Sequence, residues 1–182
     1  MVEAMSQQKE RRHVLVTGLS GTGKTTLYEL FRNKNIPAVD ADQMLLKWGR
    51  KGDQIEKGAS FGWLLKNRPN WDVKELKELL RDNDEIYVFG IALNMPKAAM
   101  KNFDQVIYLK APSRLLKERL KIQRANPYGT TKAQRELVMF VKPALDFVAS
   151  AAALVSKRLR LLDASVTPDR LFLEIINGNA KK

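Results

Sequence analysis

The sequence predicts a three-layer α/β/α fold around a five-stranded parallel sheet, and three observations carry that prediction. Five short apolar, largely β-branched segments recur along the chain, and stretches with helical periodicity lie between them. Such alternation encodes a parallel sheet whose right-handed crossovers place helices on both faces. The first of these segments runs directly into a glycine-rich turn that opens a helix. Finally, 182 residues, 45% apolar and 29% charged, suffice for one globular domain with a sizeable core.

Element by element, His13-Val-Leu-Val-Thr17 reads as a buried strand ending at Gly18. Leu27, Leu30 and Phe31 give the following segment a helical stripe, and Asn33 to Asn35 stop it. Ile36 to Asp40 is a second strand, entered at Pro37. Asp42 to Trp48 is expected to start a helix, and residues 49–71 to be mostly irregular. Asp72 caps a helix striped by Val73, Leu76, Leu79 and Leu80. Glu85 to Phe89 is the third strand, Met95 to Met100 a short helix and Gln105 to Leu109 the fourth strand. Pro112 opens a helix running to about Gln123, and Asn126-Pro-Tyr-Gly129 is a turn. A long helix from Thr131 follows, which Pro143 is expected to kink or split. Leu159 to Asp163 is the fifth strand, and Thr167-Pro168 start a last helix that Asn177-Gly178 stop.

Composition narrows the function. The absence of cysteine excludes a disulfide scaffold, a thiolate zinc site and thiol catalysis. A single histidine, His13, argues against a histidine triad or a multi-histidine metal site. The longest near-apolar run, Phe147 to Val155, is too short to cross a bilayer, and residues 1–12 hold no signal-peptide core. The expectation is a cytoplasmic protein with no membrane partner. Lys and Arg number 32 against 20 Asp and Glu, a net charge of +12 that favours nucleotides, RNA or another polyanion, or merely keeps the surface solvated.

Gly18-Leu-Ser-Gly-Thr-Gly-Lys-Thr25 matches G-x-x-x-x-G-K-[ST] at every fixed position, between a strand and a helix. In such a loop Gly18, Gly21 and Gly23 let the backbone curl until its N–H groups, with those of Ser20, Thr22 and Thr26, point at phosphate oxygens. The positive end of the helix dipole adds to the attraction. Lys24 reaches the β- and γ-phosphates, and Thr25 offers its hydroxyl to Mg²⁺. The pattern predicts ATP and Mg²⁺ as cofactors.

Asp40-Ala-Asp42 closes the second strand. Ligands of open α/β sheets bind beyond the carboxyl ends of the strands, so both carboxylates should face the phosphate loop. One would hold a Mg²⁺ water and the other would take the proton of an attacking hydroxyl. A plainer use is also open: Asp42 as the N-cap of the helix expected after it.

These residues resemble the P-loop kinases of the nucleoside-monophosphate-kinase group, which includes adenylate, shikimate, gluconate and dephospho-CoA kinases. The likeness rests on Gly18 to Thr25, on Asp40-Ala-Asp42 and on a basic turn near Arg124. It implies that Asp40 is the metal-side residue and Asp42 the base. A closer resemblance is to small bacterial P-loop proteins labelled AAA-family ATPase or nucleoside kinase. It adds Gly90 with Asn94, Arg124-Ala-Asn-Pro-Tyr-Gly129 and Asp163-Ala-Ser165, and spans about residues 13–176. The third strand ends Val88-Phe-Gly90 without an acidic residue, so a metal carboxylate must come from Asp40 or Asp42. Residues 43–71 match no acceptor segment of a known kinase.

The resemblance also implies a lid over about residues 124–131, in which Arg119 and Arg124 clamp the phosphoryl group or stack on adenine. Arg114, Lys117 and Lys121 share a helix face that is either part of this clamp or simply solvated. Asp163 and Ser165 would contact the base. Trp48, Phe61, Trp63 and Trp71, interleaved with Lys47, Arg50, Lys51, Lys57, Lys66 and Arg68, suit base stacking or a local minicore. The expected organisation is a flexible basic tail over 1–11 and a single P-loop domain over 12–182, with sheet order 2-3-1-4-5. Its expected activity is ATP- and Mg²⁺-dependent phosphoryl transfer by Lys24, Asp42 and Arg124 to a small hydroxyl or phosphate acceptor. The alternatives are a nucleotide-binding protein acting on RNA or ribonucleoprotein, and a nucleotide-dependent regulatory sensor.

Overall fold

The computed structural model describes residues 11–48, 69–91, 101–122 and 131–178. Strand β1 (Arg12–Thr17) leads into helix α1 (Lys24–Asn33), and β2 (Ala38–Asp40) into the short α2 (Ala41–Met44). Strands β3 (Leu46–Trp48) and β4 (Pro69–Trp71) precede α3 (Val73–Arg81) and β5 (Glu85–Phe89). Then come β6 (Gln105–Lys110), α4 (Ser113–Ile122), α5 (Lys132–Val155), β7 (Leu159–Asp163) and α6 (Pro168–Asn177). The five apolar strands form one parallel sheet in the order β2-β5-β1-β6-β7. Numbered among themselves, that is the expected order 2-3-1-4-5. Strand β1 lies at the centre, with Leu15 between Val88 of β5 and Val106 of β6.

Alternation along the strands divides the core between two faces. Val14, Val16, Tyr87, Phe89, Ile107 and Leu109 pack with Leu27 and Phe31 of α1 and with Leu171 and Ile175 of α6. Phe31 is the hub of this layer, its ring 4.7 Å from Tyr87, 5.3 Å from Phe89 and 4.9 Å from Phe172. On the other face Leu15, Ile86, Val88 and Val106 meet Leu76 and Leu80 of α3, together with Ala41, Leu45 and Trp71. A small third cluster, Leu19, Leu120 and Val138, seats α4 and α5 beside the glycine-rich turn.

Caps follow the residue types. Asp72 accepts from the N–H groups of Lys74 and Glu75, Thr167 from that of Arg170, and Thr131 forms a reciprocal capping box with Gln134.

Three expectations need correction. The helix expected over 42–48 ends at Met44, and β3 pairs antiparallel with β4, where an irregular segment was expected. Asp40, not Asp42, is the N-cap of α2: it accepts from the N–H groups of Asp42 and Gln43. Asp42 is thereby freed for other partners. Pro143 does not split α5, which runs unbroken over 24 residues. The proline sits on the exposed side, where water can serve the carbonyl that its missing N–H leaves unpaired.

By length and composition α5 is apolar enough to cross a membrane, which the nine-residue run did not suggest. The apolar residues are spread over seven turns, and the helix packs its inner side on β7 and α4.

Candidate active site

The cleft at the carboxyl end of the sheet is built from three stretches of backbone. The first is the glycine-rich turn. Gly18 (φ +154°) passes so close to β6 that a Cβ would lie 2.7 Å from the carbonyl oxygen of Leu109. Gly23 (φ +95°) is the N-cap of α1 in the left-handed region, and a Cβ there would meet nothing within 4 Å. Gly23 therefore serves conformation, and open space lies in front of it. No side chain caps α1 and its first turn holds no acidic residue. Its N–H groups and dipole are thus left for an external anion. Thr22 ties the turn down, its hydroxyl donating to the Leu19 carbonyl at 2.8 Å.

Lys24 folds back over the loop. Its ammonium donates to the carbonyl oxygens of Gly18 (2.6 Å) and Leu19 (3.1 Å). Burial pulls its pKa below the ordinary lysine value, and the charges of Asp42 and Asp40 oppose that shift. Lysine and both aspartates therefore share one poorly hydrated cleft, as their positions beyond β1 and β2 predict. Thr25 and Thr26 follow on the first turn of α1.

The second stretch follows β2. Asp40 spends Oδ1 on the N–H groups of Asp42 and Gln43 and receives the Gln43 amide on Oδ2 at 3.2 Å. Burial raises its pKa, although those backbone donors pull the other way. Asp42 lies one step deeper. Its Oδ1 accepts from the N–H of Ile91 at 2.8 Å and from the indole Nε1–H of Trp71 at 3.3 Å. Among the described residues nothing donates to its Oδ2. Burial pushes its pKa up to about 6, against the pull of Lys24.

The third stretch is the end of β5. Gly90 (φ +153°) leaves room for this corner: a Cβ there would lie 2.7 Å from Asp42 Oδ1 and 2.8 Å from Trp71 Cζ2. At the tip of β5 this chain places a glycine, and Asp42 of α2, just after the neighbouring strand β2, fills the corner. Sequence reasoning passed over Trp71 and the Ile91 N–H as partners of Asp42. The available signal was Gly90, a glycine closing a strand otherwise filled with large residues.

On the opposite wall, Arg119 of α4 donates to the carbonyl oxygens of Ala164 (2.9 Å) and Gly21 (3.4 Å), bracing the phosphate turn against the loop after β7. In that loop Asp163 accepts from both the N–H (2.9 Å) and the hydroxyl (2.8 Å) of Ser165, which holds its carboxyl below the usual range. Ser20 is buried in the turn itself. Arg114 pairs with Glu118 at 3.1 Å and is exposed, as are Lys117 and Lys121, in accord with a solvated face. Arg124 and the turn 126–129 lie outside the described residues, as do Phe61, Trp63, Arg50, Lys51, Lys57, Lys66 and Arg68, Asn94, the helix expected at 95–100 and most of the tail.

Thr25, Asp40 and Asp42 offer hard oxygen donors, which suit Mg²⁺. Among the described residues no group of three or more acidic or histidine side chains converges. A Mg²⁺ here would rest on one or two protein oxygens, water and substrate phosphates, the usual mode for this ion.

No family model matches the chain. A dephospho-CoA kinase of Aquifex aeolicus (strain VF5) is 24% identical over 139 residues, covering 59% of this chain and 71% of the relative. A deoxyadenosine kinase structure from M. mycoides superposes with a TM-score of 0.59 at 16% identity, covering 93% of this chain and all of the other. A gluconokinase structure from Sinorhizobium meliloti 1021 gives 0.55 at 14%, covering 94% and 93%. The fold is a P-loop kinase fold. Within that fold, the glycine-rich turn joins β1 to α1, and Lys24 and Asp42 lie close enough for each charge to act on the other.

Proposed function

We propose that this chain is an ATP- and Mg²⁺-dependent kinase that moves the γ-phosphoryl of ATP to a hydroxyl of a small acceptor, with Asp42 as the base. One observation carries the reading. Asp42 is buried beside Lys24 with Oδ1 held by two N–H donors and Oδ2 without a donor among the described residues, its pKa raised to about 6. A carboxylate that served only structure would be expected to spend both oxygens. A pKa near 6 leaves it ionised at neutral pH yet basic enough to accept a proton.

In this reading the turn 18–26 binds the phosphates through backbone N–H groups, and Lys24 exchanges its two loop carbonyls for the β- and γ-oxygens. The acceptor hydroxyl gives its proton to Asp42 Oδ2 as its oxygen bonds to the γ-phosphorus. The bond from that phosphorus to the β,γ-bridging oxygen breaks, and ADP leaves. Mg²⁺, held through Thr25 and Asp40, would neutralise phosphate charge. Arg119, Asp163 and Ser165 form the wall for the base, and Arg124 belongs to the lid. The kinase names of the similar proteins support the reaction class, and the acceptor is a nucleoside, nucleotide or comparable metabolite.

The test is ADP release measured with nucleosides, nucleotides, sugars and RNA in turn. Acceptor-dependent turnover that Asp42→Asn lowers by roughly 10²–10⁴-fold with ATP affinity kept is the expected result. Turnover stimulated only by RNA, with an RNA affinity that falls steeply with salt, would instead favour the reading suggested by the +12 charge.

A further inference from the structure

Helix α5 is inverted relative to an ordinary surface helix. Its two charged residues beyond Phe140, Lys142 and Asp146, point inward, pair with each other, and receive the Tyr108 hydroxyl on Asp146 at 3.0 Å. Every exposed residue from Phe140 to Val155 is apolar: Phe140, Pro143, Ala144, Phe147, Val148, Ala151, Leu154 and Val155. Phe147 is 73% exposed, Leu154 88% and Val155 87%. The stripe presents on the order of 700 Å² of apolar surface, more than the roughly 300–600 Å² of the largest patch on a typical monomer.

We propose that this stripe pairs antiparallel with the same stripe of a second copy of the chain. Three features choose that occupant. Phe140, Ala144, Phe147, Ala151 and Leu154 follow the 4-3-4-3 spacing of a helix–helix seam. A membrane surface or a flat partner imposes no such register. Large and small residues alternate along the seam, and an antiparallel pairing centred on Ala149 sets Phe147 and Leu154 against small residues, with Phe140 beyond the paired stretch. Phe147 then faces the partner's Ala151, and Leu154 faces the partner's Ala144, with the reverse by two-fold symmetry. A parallel pair would stack Phe147 on its own copy. Lastly, the exposed area approaches the roughly 800 Å² that each partner gives to a standard interface. The face carries no charge that would meet itself across a two-fold axis. The stripe is the exposed side of α5, a helix that packs on β7 and α4.

The full chain should sediment at twice its mass at tens of micromolar, and Phe147→Glu should sediment as a monomer with an unchanged circular dichroism spectrum. Raising salt from about 0.1 to 0.5 M should leave the dimer as tight or tighter, because two copies of charge +12 repel less when screened. Val148 flanks the seam on the edge that meets itself in this register. Since the chain has no cysteine, Val148→Cys should yield a single disulfide-linked dimer on mild oxidation. A monomeric wild type, or a dimer indifferent to Phe147→Glu, would overturn the proposal. So would a monomer that binds anionic vesicles through Phe147 and is released by salt.

Discussion

The phosphate turn and the Asp42 corner lie across one cleft and are made in opposite ways. The turn is local. Nine consecutive residues directly after β1, Gly18 to Thr26, supply the glycines, the lysine and the helix start. The corner is assembled from three separate places: Asp42 after β2, Trp71 on β4, and Gly90 with the Ile91 N–H at the end of β5. A local site depends on backbone conformation that a few glycines secure. A composite site depends on the sheet bringing distant residues into register, here Asp40 beside Phe89. The turn is therefore sensitive to its own residues, whereas the corner is sensitive to everything that positions a single carboxylate.

The largest effect should come from the local side. Lys24→Ala removes the charge meant for the β- and γ-phosphates, and turnover should fall by at least about 10³-fold in a coupled ADP assay, with the fold retained by circular dichroism. Near-normal ATP binding and turnover would break the phosphate-loop assignment.

Asp42→Asn comes next, at roughly 10²–10⁴-fold in turnover. It should also separate activity from stability. In the folded chain Asp42 binds its proton more tightly than in the unfolded chain, with a pKa of about 6 against 3.8. The penalty of its buried charge is therefore full above pH 6 and fades as the pH falls from 6 towards 4. Without nucleotide or metal, Asp42→Asn should be more stable than wild type at pH 8 by on the order of 1–3 kcal/mol, and nearly equal at pH 4. Urea titrations at the two pH values measure this. Equal stability at pH 8 would show that the carboxylate is better solvated than its burial implies. The same titration predicts that kcat/KM of wild type declines as the pH drops below about 6.

Arg124→Ala tests the proposed lid, which neither region contains. As a transition-state clamp, Arg124 should lower kcat by more than tenfold while ATP affinity changes little. Saturating nucleotide should slow amide exchange over residues 121–133. Unchanged exchange together with normal turnover would reduce that stretch to a helix connection.

Within the corner, Gly90→Ala should lower turnover by roughly 10-fold, because its Cβ would displace Asp42 and Trp71 and the φ of +153° disfavours alanine. Trp71→Phe keeps most of the packing and removes one donor from Asp42 Oδ1, so kcat should fall about 3–10-fold with KM for ATP unchanged. A tryptophan variant with unaltered kcat would make the 3.3 Å contact incidental. An alanine at 90 as active as wild type would show that the corner can rearrange.

What could be read without coordinates follows from range along the chain. The five strands, their order, the caps at Asp72 and Thr167 and the whole glycine-rich turn obey patterns contained within a few residues. The run Asp42 to Trp48 was misread because its apolar residues fit a helix equally well, and pairing with β4 decided the matter. The sequence offered Asp42 as the cap of the helix after β2. Backbone direction after β2 gave the cap to Asp40 and turned Asp42 towards Trp71 and Ile91.

The sequence by itself determined the P-loop architecture and the phosphate turn, since hydrophobic periodicity and a contiguous motif need no distant partner. Only the tertiary structure decided which aspartate caps α2 and which is held by Trp71 and Ile91, that a glycine at the β5 tip makes room for the latter, and that Lys142 and Asp146 of α5 point inward. Each of these depends on segments far apart in the chain meeting at one place. A side chain's pKa and its free lone pairs are properties of that meeting rather than of the residue.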